Sequence, residues 1–273
     1  MSTTAVSIAT ALTMGTDGLA GHAGAQADGF ANADHPFDFD DAFGLSADEV
    51  RNLGPDRLTD FDLLRLNARF ETSSAEEIIA WAVATFGPRL CLTTSLTDAV
   101  LLDIAWRVDP SVEIVFLDTQ YHFPETLATL ETVKERYHPN LRVLTPAFEP
   151  DDLWQIDTDL CCKRRKVEQL DGVLDEKDAW MTGLRRSDAP TRSNTPIVTR
   201  DGRGLIKISP IATWTDAQVD DYIARHDVPV NPLIALGYLS VGCWPCTQTV
   251  AEGDDPRSGR WSGSGKTECG LHL

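Results

Sequence analysis

Six cysteines occur in the 273 residues, and their spacing is the first chemical signal. Cys161 and Cys162 are adjacent, Cys243 and Cys246 form a C-x-x-C, and Cys91 and Cys269 stand alone. The two pairs offer four thiolates, enough for a tetrahedral zinc site or an iron–sulfur cluster. Structural zinc ordinarily draws on cysteines separated by a few residues on both sides, whereas adjacent cysteines diverge and chelate one small ion poorly. A cubane is larger and gives each thiolate its own iron, so the spacing favours [4Fe–4S]. Disulfide pairing is a third reading, disfavoured in a cytoplasmic chain. Cys243-Trp244-Pro245-Cys246 also has the form of a thioredoxin-type redox pair, but that motif belongs at the start of a βαβ unit and this one lies late in the chain. Cys91 sits in an apolar run and reads as a core residue. Cys269 lies between Lys266 and His272 near the C-terminus, where either neighbour could favour a thiolate, and is the candidate nucleophile.

The cations are the second signal. Acids outnumber bases by 42 to 24, a formal charge of −18, which argues against a nucleic-acid partner and against an anionic membrane surface. Against that trend, Lys163-Arg164-Arg165-Lys166 directly follows the cysteine pair, and Arg185, Arg186, Arg192, Arg257, Arg260 and Lys266 lie around the other motifs. Such a collection suits a pocket for a polyanion, because guanidinium forks bind phosphate or sulfate oxygens two at a time. The sequence Gly263-Ser264-Gly265-Lys266-Thr267 has the ending of a nucleotide P-loop, but Arg260 stands where its first glycine belongs.

The elements that must position these residues follow from periodicity and punctuation. Helices are expected over 60–70 and from the Ser73/Ser74 capping boxes to about Phe86, where Gly87-Pro88 stops the second. Apolar runs at 90–92, 112–117 and 141–144 read as buried strands, separated by helices over 99–107 and from Pro124 to about Tyr137. Fainter strands fall at 178–182 and 205–208, and Thr215 with Gln218 caps a helix to about His226. This alternation predicts an α/β fold, a parallel sheet flanked by helices. Ligands of such sheets sit beyond the carboxyl ends of the strands, which selects the loops 93–98 and 118–122. No Lys or Arg precedes Arg51, so residues 1–50 carry eight acids and no base. They read as a disordered acidic extension without the cationic start of a secretory signal. With no apolar stretch of membrane-spanning length, the expectation is a cytoplasmic protein.

These motifs, taken in order, resemble the iron–sulfur adenylyl-sulfate (APS) reductases of bacteria. The segment from Cys161-Cys162 through Arg165-Lys166 to Leu170, the pair Cys243/Cys246, Arg257-Ser-Gly-Arg260-Trp261 and the terminal K-T-E-C-G-L-H all match that family. Leu117-Asp118-Thr119 with Tyr121-His122-Phe123, and Gly183-Leu184-Arg185-Arg186, match it too. The likeness spans about residues 60–273 and departs at two points: Gln120 stands where glycine is usual, and Gln169 where proline is.

The resemblance implies an adenine-nucleotide α-hydrolase-like sheet with a mobile C-terminal tail. With the acidic extension read from composition over 1–55, the resemblance implies a reductase domain over 56–250 and a tail over 251–273. It implies reduction of adenosine 5′-phosphosulfate to sulfite and AMP, with Cys269 as nucleophile and thioredoxin as reductant. A [4Fe–4S] cluster would be held by Cys161, Cys162, Cys243 and Cys246. Lys166 would lie between cluster and substrate, Arg192, Arg257 and Arg260 would hold the phosphosulfate, Thr94 and Ser95 would serve the phosphate loop, and Leu117 and Gly183 the adenosine. Homo-oligomerisation is left open. The rival readings are a reductase preferring the 3′-phosphorylated substrate, an ATP pyrophosphatase on a similar sheet, and a zinc-stabilised interaction module. Thr94-Ser95-Leu96-Thr97-Asp98-Ala99 lacks the glycines and final serine that the pyrophosphatase loop needs.

Overall fold

The computed structural model describes residues 58–251, 253–261, 266, 268, 270 and 271. The expected N-terminal extension, Cys269 and His272 lie outside the described residues.

Two capped helices open the described chain. Helix α1 (Asp60–Phe70) and helix α2 (Ala75–Phe86) each start with a reciprocal capping box, Thr59 with Asp62 and Ser74 with Glu77. Each box satisfies two backbone N–H groups that the first turn leaves without helical partners. Strand β1 (Leu90–Thr94) and strand β2 (Glu113–Leu117) are separated by helix α3 (Val100–Val108), and helix α4 (Pro124–Tyr137) leads to strand β3 (Leu141–Leu144). Short helices α5 (Leu153–Ile156) and α6 (Thr158–Cys162) precede a π-helical turn over Lys163–Val167 and helix α7 (Glu168–Leu174). Strands β4 (Ala179–Thr182), β5 (Val198–Arg200) and β6 (Ile206–Ile208) follow, then helix α8 (Asp216–His226), capped by Thr215 and Gln218 as its sequence predicts.

The strands form one sheet in the order β3-β2-β1-β4-β6-β5. All pairings are parallel except β5–β6. The parallel sheet flanked by helices is as expected, and the antiparallel edge strand β5 is an addition that the sequence pattern does not predict. Only residues 201–205 join β5 to β6, too few for the crossover that a parallel pair needs. Strand order reverses between β1 and β4, so the loops after β1 and β4 diverge and open a crevice at the carboxyl ends. Cys91 is fully buried in β1, and burial pushes its thiol up to about 12, in keeping with a core role.

One buried carboxylate ties the helices of one face together. Asp103 on α3 is completely buried and accepts hydrogen bonds from Tyr137 on α4 (2.9 Å), Tyr222 on α8 (2.6 Å) and Arg107 (2.6 Å). Burial with every lone pair engaged makes the charge tolerable, and removing it leaves two buried hydroxyls unpaired. Asp103→Ala is expected to lower unfolding free energy by about 3–5 kcal/mol. Urea titration measures this, and a loss near that of an exposed aspartate would rule the clasp out.

Candidate active site

The loop after β1 is the floor of the crevice. Leu96 adopts a left-handed backbone, φ +56°, and Thr94 Oγ1 accepts from its N–H at 3.3 Å. Asp98 Oδ1 accepts from Val100 N–H (3.0 Å) where α3 begins. Asn231, wholly buried, fixes the loop from outside: its Nδ2 donates to Leu96 O (3.2 Å) and its N–H to Thr97 O (3.0 Å). Sequence reasoning missed Asn231, because a lone asparagine after a proline-flanked turn carries no spacing signal.

Above this floor lies a cleft of about 610 Å³. Thr94, Ser95, Leu117 and Gly183 line it from the strand ends. Lys166, Arg192, Arg257 and Arg260 line it from the other side. All eight expected substrate residues therefore face one space, although they come from five separate stretches of chain. His122 also lines it; its ring pairs with Leu117 O at 2.8 Å, and burial holds the imidazole below its ordinary pKa.

A second, smaller cavity adjoins the first. Cys161, Cys162, Cys243 and Cys246 all line it, with Tyr121, Trp154 and Arg165. Lys166, Arg260 and Trp261 line both cavities and so form the wall between them. Burial, aided by the neighbouring cysteines, pushes the Cys161 thiol up to about 11 and raises that of Cys246. Among the described residues, no three His, Cys, Asp or Glu side chains converge as a single ion would require. Two arginine donors, Arg165 Nε and Arg260 Nε, are buried without a hydrogen-bond partner.

The loop after β2 holds both cysteine pairs in place. Trp244 N–H donates to Tyr121 O (2.8 Å), His122 and Cys243 share a β-bridge, and Thr119 Oγ1 lies 3.2 Å from Cys243 Sγ. On the other side, Arg165 is 1% exposed. Its Nη1 donates to Gln120 Oε1 (2.6 Å) and its Nη2 to Glu149 O (2.9 Å), with the rings of Tyr121 and Phe148 each 4.6 Å from the guanidinium. The π-helical turn inserts an extra residue after Cys162, a feature that recurs at functional sites. The Arg260 guanidinium lies against Gly242: a Cβ there would come 2.2 Å from its Nη2 and displace the side chain.

The described residues of the C-terminal tail, expected as a mobile closing segment, rest on this assembly. Lys266 Nζ bonds Asp159 of α6. Glu268 pairs with Arg192 and Arg257. Leu271 packs on the cluster formed by Cys91, Val115, Leu170 and Trp180.

Fold and site together define an α/β nucleotide-binding protein whose arginine- and lysine-lined cleft shares a wall with a four-cysteine cavity. Residues 89–249 match the phosphoadenosine phosphosulfate reductase domain model, and the chain belongs to that family of reductases. Relatives named adenosine 5′-phosphosulfate reductase include one from Streptomyces coelicolor, 49% identical over 217 residues, covering 76% of this chain and 92% of that protein. Another, from Mycobacterium tuberculosis, is 42% identical over 246 residues, covering 79% of this chain and 97% of that protein. Among solved structures, a phosphoadenylyl-sulfate (PAPS) reductase from Candida auris superposes with TM-score 0.63 at 35% identity, covering 71% of this chain and 98% of that one. A Candida glabrata FMN adenylyltransferase shares the fold alone, with TM-score 0.51 at 15% identity, covering 77% of this chain and 78% of that one.

Gln120 shows how this chain meets its departure from the family pattern. Its backbone is left-handed, φ +66°, a region that glycine enters freely and other residues at a cost. The bond from buried Arg165 offsets that cost. Gln120→Ala keeps the strain and leaves Arg165 Nη1 only its longer bond to Thr119 O (3.4 Å), so a loss of about 1.5–3 kcal/mol is expected. Gln120→Gly should lose less, because it relieves the backbone. Equal losses in chemical denaturation would contradict this account.

Proposed function

We propose that this chain reduces adenosine 5′-phosphosulfate to sulfite and AMP, with thioredoxin as electron donor, in cytoplasmic sulfate assimilation leading to cysteine biosynthesis. One observation carries the reading: an anion-binding cleft and a four-thiol cavity share the wall of Lys166, Arg260 and Trp261, and tail residues 266 and 268 are anchored beside them.

The adenosine would lie against Leu117 and Gly183, with the phosphate over Thr94 and Ser95, in the loop that leads from β1 into α3. A helix N-terminus favours a bound phosphate. Arg192, Arg257, Arg260 and Lys166 would take the phosphosulfate. Cys269 thiolate would attack the sulfate sulfur. The new bond joins Cys269 Sγ to that sulfur, and the bond from sulfur to the bridging oxygen breaks, leaving AMP. The departing phosphate oxygen gains charge as this bond breaks, so fixed cations lower the barrier. A dithiol of thioredoxin then attacks Cys269 Sγ. Sulfite leaves with the electron pair of the sulfur–sulfur bond, Cys269 returns to a thiol, and the dithiol ends as a disulfide. Those two electrons are the whole reduction from sulfate to sulfite, so the chain's own redox step is confined to thiols.

Cys161, Cys162, Cys243 and Cys246 would hold a [4Fe–4S] cluster. A single zinc ion would draw four sulfurs to about 2.3 Å from one point. The four thiols line one cavity, and among the described residues no three of them converge as a zinc site needs. The unpartnered Nε–H groups of Arg165 and Arg260 suit a group that carries acceptors, as inorganic sulfide does. When bound, the cluster supplies structural cross-linking and an electrostatic surface beside the substrate. The chain's part is to hold Lys166 and Arg260 between the two spaces.

The alternative is a preference for the 3′-phosphorylated nucleotide, as the names of the family model and of the Candida auris protein suggest. Paired turnover assays separate the two, and a strong preference for PAPS would overturn the assignment. Anaerobic incubation with APS labelled at sulfur should leave label on Cys269. Cys269→Ser should abolish both label and turnover, and Arg257→Ala should lower kcat/KM by about 10²–10³. Label retained on the Cys269→Ser protein would refute the mechanism.

A further inference from the structure

Arg192 and Arg257 are not waiting for an anion; the chain already gives them one. Glu268 Oε1 accepts from Arg192 Nε at 2.9 Å, and Oε2 accepts from Arg192 Nη2 at 2.9 Å and from Arg257 Nη2 at 3.0 Å. The three side chains are only 12%, 13% and 19% exposed, so the contact is well shielded from water and from salt. Behind it, Asp188 Oδ2 accepts from Arg192 Nη1 at 3.2 Å and fixes that guanidinium in place. Glu268 thus occupies the two-pronged face of Arg192 that a tetrahedral oxyanion would use.

The carboxylate is held there by its own neighbours in the chain. Lys266 is tied to Asp159 of α6, and Leu271 is packed into the core cluster. Gly270 has φ +86°, a left-handed turn that a side chain would strain. The chain is therefore pinned on both sides of Glu268, at Lys266 and at Leu271.

We infer that Glu268 is a built-in surrogate for the substrate's anion, and that it sets the affinity threshold an anion must pass to take the arginine pair. It keeps two shielded guanidiniums neutralised while the cleft holds no nucleotide, and it yields them when the phosphosulfate arrives. The inference rests on the proposed role of Arg192 and Arg257 as phosphosulfate ligands. Its consequence is selection. A free inorganic sulfate or phosphate must displace a tethered carboxylate with its charge alone. A phosphosulfate attached to adenosine brings the binding of the nucleoside as well. Because the surrogate and the substrate share one site, the apparent affinity of every anion is reduced by the fraction of chains in which Glu268 sits on the pair.

The test measures equilibrium binding of adenosine, AMP, APS and inorganic sulfate to the anaerobic, cluster-loaded protein carrying Cys269→Ser, which blocks turnover. E268Q is compared with Glu268 in that background, and E268A serves as a second variant of different shape. Iron content and cluster absorbance establish that each variant is folded. The expected result is that both variants bind APS about tenfold more tightly, a coupling of ordinary size. Adenosine affinity should be unchanged, and millimolar sulfate should compete with AMP only when the carboxylate is gone. Unchanged or weaker APS binding in both variants, or an equal gain for adenosine, would overturn the inference. Arg257→Met tests the underlying reading by itself. If APS binds no more tightly than adenosine whether or not Arg257 is present, the arginines are not phosphosulfate ligands, whatever E268Q does.

Discussion

A single buried guanidinium organises the site. Arg165 is almost fully withdrawn from water, and a charge there is tolerable only if the surrounding groups are arranged to receive it. They come from two places: Gln120 and Thr119 in the loop after β2, and Glu149 and Asp151 in the segment before α5. The arginine itself lies one turn beyond Cys161 and Cys162. Satisfying this charge therefore fixes the adjacent-cysteine helix against the loop that ends β2. That same loop straps down Cys243 through Tyr121 O and the His122 bridge. Two cysteine pairs some eighty residues apart meet because each is bonded to one short loop, and the loop is rigid because β2 is an interior strand.

The charge pattern makes sense on the same terms. A chain with a net charge of −18 repels anions at long range, so a polyanion needs a locally inverted field. The arginines of the cleft provide it, yet they are spaced among carboxylates that hold them in position. Arg185 pairs with Asp188 and Asp216, and Arg192 with Asp188 and Glu268. Fixed, partly shielded cations stabilise developing charge without having to reorganise, which is where they exceed what water could do.

Much of the frame was legible in the sequence, because local rules decide it. The capping boxes at Ser74 and Thr215 and the buried strands after Arg89 and Ser111 depend only on residues within a few positions of one another. The cysteine and arginine motifs were legible as chemistry, and the fold brings the described ones to two adjoining cavities. What escaped were relations across long separations. Strand β5 is three residues long with no alternation of its own, and it exists because β6 offers it an edge. Asn231 acts on a loop 135 positions away, and Gln120 looked like a simple departure from glycine until its partner Arg165 was in view. Glu268 stood beside the candidate nucleophile, but nothing in K-T-E-C-G-L-H says that its carboxylate reaches Arg192, 76 positions earlier.

Placing the proposed nucleophile on such a tail answers a steric problem. One sulfur must meet two partners of very different size, a nucleotide enclosed in a cleft and a reductant protein that arrives from outside. A residue on the sheet could serve the first partner only. Lys266, Glu268 and Leu271 are held by ion pairs, a hydrogen bond to Thr158 O and one apolar contact, which separate at small cost compared with opening a packed core. The ion pairs also make the docking responsive, because the arginines that bind the tail are those that line the substrate's space. Whatever anion occupies the cleft thereby changes how firmly the tail is held. On the proposed reading, the arrival of substrate and the release of the tail are linked through the same two guanidiniums.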